Sequence, residues 1–108
     1  MVNGSPELDR AFAALSHPVR RQIVERLARG PTTVGQAAAG AGVSKPAITK
    51  HLRVLEEAHV VVRVVEGRAH RLTLNAAPLD DAAAWIGRQR GLRERRFDAV
   101  EEHLGETR

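Results

Sequence analysis

The chain contains no cysteine. That excludes disulfides, thiolate metal sites and thiol nucleophiles together. Aromatic residues make up only 3%, so a folded core must rest on Leu, Ile, Val and Ala. No apolar run approaches the ~20 residues that span a bilayer, and no membrane partner is expected. The start, "MVNGSPELDR", lacks the basic-then-apolar pattern of a secretion signal, so the cytoplasm is the expected compartment. No Gly-rich phosphate loop appears, and the few Ser, His and Asp residues are scattered. The chain is therefore not expected to be an enzyme, and no cofactor is expected.

Positive charge is what the chain has in excess. Lys and Arg number 17 against 13 acids, a net charge of +4, and the isoelectric point is near 10.9. An anionic partner suits that balance, with a solvated basic surface as the plain alternative. Most of the cations are Arg, which suits bidentate contact with phosphate or guanine. The 108 residues suit one domain. The expected organisation is a flexible start over 1–6, one domain over 7–104 and a short tail over 105–108. A body this small buries a limited core, so a dimer would help it.

Along the chain, the local signals are mainly helical. Ser5-Pro6-Glu7 can cap and open a first helix, with Leu8, Phe12 and Leu15 on one face. Ser16-His17-Pro18 repeats the start signal. Val19, Ile23, Val24 and Leu27 then form a second apolar stripe, which Gly30-Pro31 stops. Thr32 or Thr33 can cap a third, short helix through Val34, Ala37 and Ala38. "GAG" at 40–42 ends it, and Ser44 is placed to cap the next. Two short helices on a glycine-containing turn make a helix-turn-helix.

After Ala58 the period changes. "HVVVRVVE" reads as a strand, "EGR" as a turn with Gly67 free to take positive φ, and "AHRLTLN" as a second strand. His70, Leu72 and Leu74 share one face of it, and His70 is expected to be partly buried. This two-stranded hairpin must pack on the helices to be stable. A long helix follows, from about Leu79 to Leu104. Ala82, Ile86, Phe97, Val100 and Leu104 form its stripe, with Trp85 and Leu92 beside it. Gly87 and Gly91 weaken it by roughly 1 kcal/mol each relative to Ala. The stripe is too long for so small a body to cover. Packing against a second subunit is one reading; an amphipathic helix on its own domain is the other.

The helix from Ser44 carries the chemistry. On a 100° wheel Ile48, Leu52 and Leu55 fall together and face the core. Pro46, Thr49, Lys50 and Arg53 fall opposite, with Lys45 at the N-terminal edge. Lysines, an arginine and a hydroxyl on one exposed face fit a DNA major groove. Pro46 costs little in the first turn and offers an apolar edge. His51 borders the core face, which suits packing or hydrogen bonding more than a base contact. An ordinary solvated face explains the charges alone. The order helix, glycine turn, helix, hairpin favours a winged helix-turn-helix with the second helix in the groove. Arg63, Arg68 and Arg71 lie on the hairpin, and Arg68, at its tip, is placed to reach a flanking phosphate or minor groove.

"ALSHPVRRQIVERL", "SKPAITKHLRVLEEAHVV" and "EGRAHRLTL" together resemble the ArsR/SmtB winged-helix repressors, and the similarity runs from about Leu8 to Leu104. The resemblance implies a mainly α fold with a two-stranded β-hairpin wing, and a homodimeric repressor of a palindromic operator in double-stranded DNA. It implies that the first and last helices form the dimer interface, which places Leu8, Phe12 and Leu15 with Trp85, Ile86, Leu92, Phe97, Val100 and Leu104. It also implies that Lys45, Pro46, Thr49 and Lys50 face the groove; the reading of the residues adds Ser44, Arg53, Arg63 and Arg68 to the expected DNA contacts. "DDAAAWIGRQRGLRERRFDAVEEHL" is similar to a subgroup that often lacks the family's metal site. Thr33 and Gly35 stand where metal-sensing members carry Cys-x-Cys. His103 and Glu106 have the spacing of half a second family site, but "RQRG" supplies no other half. No metal is expected. A protein-interaction or nucleoid-type module on the same fold is the competing function; the absence of a long basic tail weighs against DNA compaction.

Overall fold

The structure, a computed structural model, describes residues 5–106, with side chains through Arg96. Helix α1 spans Pro6–Ala14 and α2 spans Pro18–Leu27. A two-residue strand, β1 (Thr32–Thr33), leads into α3 (Val34–Ala41) and α4 (Lys45–Glu57). Strands β2 (Val61–Glu66) and β3 (Ala69–Leu74) form the hairpin, and α5 (Ala77–Glu106) completes the order. Thus α1 begins one residue inside the stretch expected to be a loose start, and α5 runs on to Glu106.

Each helix starts where its local chemistry allows. The Ser5 hydroxyl accepts the Leu8 amide at 3.3 Å, and Pro6 needs no amide partner in the first turn. In α2 the cap is His17 rather than Ser16: its Nδ1 accepts the Val19 amide at 3.1 Å. Thr33 caps α3 in a reciprocal box with Gln36. Gly42 ends α3 at φ 67, the left-handed conformation that glycine takes without a Cβ clash. Gly42, Val43 and Ser44 are then the whole turn between α3 and α4.

The hairpin has company that the sequence does not announce. Thr32 and Thr33 pair with Leu72 and Arg71, so the sheet has three antiparallel strands in the order β1-β3-β2. Strand β1 ties the start of the helix-turn-helix directly to the wing. Val61 faces Leu74, Arg63 faces Leu72 and Val65 faces His70. The wing closes through Gly67-Arg68, with Gly67 at φ 62, the glycine-first pattern of a two-residue hairpin turn.

One strand begins later than its β-branched run suggests. The Val60 amide bonds the Leu55 carbonyl and the His59 amide the Glu56 carbonyl. His59 sits at φ 60, in the place a glycine often takes when a helix closes. The chain is still finishing α4 at Val60, so β2 starts at Val61.

Ile23, Ile48, Leu52, Leu55, Val60 and Leu72 are buried with almost no exposure, and Ala14, Leu27, Ala37, Ala38, Ala58 and Val61 complete the same cluster. Aliphatic side chains alone fill this core. It lies between α2, α3, α4 and the root of the wing. On α1 the buried residues are Ala11 and Ala14, while Leu8 and Leu15 are half-buried and Phe12 is exposed. No described buried side-chain N or O lacks a hydrogen-bond partner. No helix among the described residues is long and apolar enough to cross a membrane.

His70 departs from expectation. It shares a face with Leu72 and Leu74, yet it is exposed. The helices cover that face only near the wing's root, where Leu72 is fully buried. Further out, His70 Nδ1 stands 3.2 Å from Arg63 Nη1.

Candidate nucleic-acid interface

The exposed face of α4 follows from its buried one. Ile48, Leu52 and Leu55 are 0% exposed, which fixes the helix's rotation and turns Lys45, Pro46, Thr49, Lys50 and Arg53 to solvent. The Ser44 hydroxyl accepts the Ala47 amide at 3.4 Å and caps the helix. Thr49 Oγ1 donates to the Lys45 carbonyl at 2.9 Å. Its hydroxyl proton is thereby used within the helix, leaving lone pairs and a methyl group to face outward. The side chains of Lys45, Lys50 and Arg53 make no hydrogen bond or ion pair with another described residue. Glu57, not singled out in the sequence, is also exposed at the far end, so the cationic character belongs to the first three turns.

On the wing the arginines divide into two kinds. Arg68 is exposed at the tip and has no described partner. Arg63, also expected to contact DNA, is held in an ion pair. Its Nη2 lies 2.6 Å from Glu56 Oε1, and its Nε donates to the same oxygen at 3.1 Å. The pair is about one-third exposed and pins the wing's first strand to the last turn of α4. The physical reason is register: Arg63 lies on the face shared with Leu72, toward the helix, where a carboxylate waits. Arg71 is likewise held, by Glu66 at 2.6 Å.

Two further features were not legible as parts of the interface. The start of α3 and the wing line one groove, through Thr33, Gly35, Arg63, Arg68 and His70. Behind α4, His51 is half-buried and close to Arg20 and His17. Burial, then His17, then Arg20 hold its imidazole below the usual 6.5.

The fold matches known proteins. A family model described as a helix-turn-helix domain matches residues 15–65. The chain is 34% identical over 79 residues to the transcriptional repressor SdpR of Bacillus subtilis, covering 73% of this chain and 88% of that protein. It is 53% identical over 53 residues to the HTH-type transcriptional regulator Rv2034 of Mycobacterium tuberculosis. That match covers 49% of this chain and only half the length of the relative. The solved structure of the ArsR family transcriptional regulator RHA00566 superposes with a TM-score of 0.79 at 31% identity, covering 87% of this chain and 97% of that one. An ArsR-like regulator from Rhodococcus sp. RHA1 gives 0.78 at 33% identity, covering 89% and 91%. The chain belongs to the ArsR family of transcriptional regulators.

Within this ArsR-family chain the metal-sensing positions hold no strong ligands. Thr33 is spent as the α3 cap, and Gly35 has no side chain. No group of three or more His, Asp or Glu among the described residues is placed to hold a metal ion. The side chains of His103 and Glu106 lie outside the described residues.

A second surface is apolar. The Phe12 and Trp85 rings meet edge to face, centroids 5.7 Å apart, joining α1 to α5. Both stay substantially exposed, at 37% and 40%, and Ile86 and Leu92 continue the apolar face along α5. Phe97, Val100 and Leu104, expected on the same face, have side chains outside the described residues.

Proposed function

We propose that the protein is a homodimeric repressor, without catalysis, that acts in the cytoplasm on a palindromic operator. The observation that carries this reading is the rotation of α4. Three fully buried aliphatic residues on one side leave Lys45, Lys50 and Arg53 unpaired on the other. Thr49 and Lys50 read base edges, and Lys45 and Arg53 hold phosphates beside them. Pro46 supplies an apolar edge. Ser44 acts through the helix it caps, and Arg63 by fixing the wing. Arg68 reaches the flanking backbone or minor groove.

The dimer brings two copies of α4 to successive major grooves, about 34 Å apart. The exposed Phe12, Trp85, Ile86 and Leu92 face supports that assembly, because an apolar surface of this kind costs free energy in water. The repressor activity named for the Bacillus subtilis relative supports repression.

Alanine variants separate the roles. Thr49→Ala or Lys50→Ala is expected to weaken a preferred DNA site by about 5- to 100-fold, with little change on random DNA. Arg68→Ala should weaken both to a similar extent and flatten the salt dependence by about one phosphate's share. Fluorescence anisotropy with both DNAs provides the check. Equal losses on both DNAs from the Thr49 and Lys50 changes would remove these residues from base reading.

A further inference from the structure

Arg20 has a role that DNA contact does not explain. Its Nε donates to the Ala14 carbonyl at 2.7 Å and its Nη2 to the Ala13 carbonyl at 3.0 Å. The guanidinium thus closes the end of α1. Its Nη1 stands 3.3 Å from His51 Nδ1, on α4. The His51 ring lies against that of His17, centroids 4.4 Å apart. His17 Nδ1 in turn accepts the Val19 amide that starts α2. One side chain therefore joins a helix of the apolar dimer face to the helix that faces DNA.

The protonation states follow from the donors. A guanidinium only donates, so His51 Nδ1 must accept, with its ring neutral and its proton on Nε2. The backbone amide of Val19 imposes the same on His17 Nδ1. A proton on His51 Nδ1 removes an acceptor and sets a cation against Arg20. The charged and titratable groups acting on His51 are His17 and Arg20, and no described carboxylate opposes them. From α1 come only the two carbonyls, already occupied by Arg20.

We propose that Arg20, His17 and His51 are positioning residues that set the recognition helix against α1, and that acid releases this link by protonating His51. The effect on DNA rests on the operator-binding reading above; the effect on the free protein does not. The sign is fixed by the His51 shift. Its folded value lies below the ordinary 6.5, so the folded state binds fewer protons than the unfolded chain. The link's contribution is complete above that pH and is lost as pH falls below 6.5 toward the folded value.

The test compares the wild type with His51→Asn, whose side-chain oxygen stands near the place of Nδ1 and takes no proton. Thermal midpoints of the free protein are measured at about pH 7.5 and about pH 5.5. The wild-type midpoint is expected to fall by about 4 °C more than that of the variant. Equal falls would overturn the proposal. Should His51→Asn not fold, an NMR titration of the wild-type rings decides: a His51 midpoint below 6.5 supports the link, and one at or above it overturns the link. Anisotropy against DNA from upstream of the protein's own gene, with random DNA beside it, is run at both pH values. The ratio of affinities should drop about tenfold in acid for the wild type, and less for the variant. No preference at either pH would count against the operator reading, while the thermal comparison would still decide the link.

Discussion

Trp85→Asp is expected to leave a folded protein that is monomeric at micromolar concentration and has lost about 10²- to 10⁴-fold in operator affinity. Trp85 is 40% exposed and touches Phe12 by its edge, so a carboxylate there can remain in water and the core beneath is untouched. A dimer would bury the same position, and an unpaired carboxylate buried in an apolar interface is costly. The DNA effect follows from linkage of the two half-sites. A tethered second contact adds avidity of roughly 10²- to 10⁴-fold without any new chemistry. Sedimentation gives the oligomeric state, circular dichroism the helix content and anisotropy the affinity. A Trp85→Asp protein that remained dimeric would place the interface elsewhere.

The second large effect is on stability. Leu52→Ala is expected to cost about 2–5 kcal/mol, because Leu52 is fully enclosed in the cluster that holds α4 in place. A domain of this size has only about 5–15 kcal/mol to lose. The thermal midpoint should drop by about 10 °C or more. Lys50 is only two positions away, yet Lys50→Ala should leave the stability within about 0.5 kcal/mol of the wild type, as an unpaired surface side chain does. The pair separates what holds the helix from what the helix presents. A small thermal effect of Leu52→Ala would mean that the core does not fix the rotation of α4.

The reach of the sequence is set by how local each signal is. The rotation of α4 was legible because Ser44, Pro46 and the spacing of Ile48, Leu52 and Leu55 all lie within one helix. The glycine turns at Gly42 and Gly67 were legible for the same reason. Strand β1 was not: two threonines have no periodicity, and their partners Leu72 and Arg71 are some forty positions on. Arg63 shows the limit for a site residue. The pattern marks a cation on a wing strand, but Glu56 captures it only because the end of α4 crosses that face. The alternation of β3 places His70 on the face of Leu72 and Leu74, and its exposure depends on how far the helical body extends beneath the wing. The Arg20 bridge to His51 spans 31 positions and has no trace in either helix alone.

The claim at the centre is that the unpaired face of α4 reads sequence as part of a dimer. It is tested most directly by anisotropy of the purified protein against DNA from upstream of its own gene, with random DNA of equal length, over a salt series. The account predicts a preference of about 10³-fold or more, two subunits per site, and affinity that falls steeply with salt as phosphate counterions are released. Equal, salt-sensitive binding to both DNAs, with no fixed stoichiometry, would contradict it and leave α4 a backbone-binding surface.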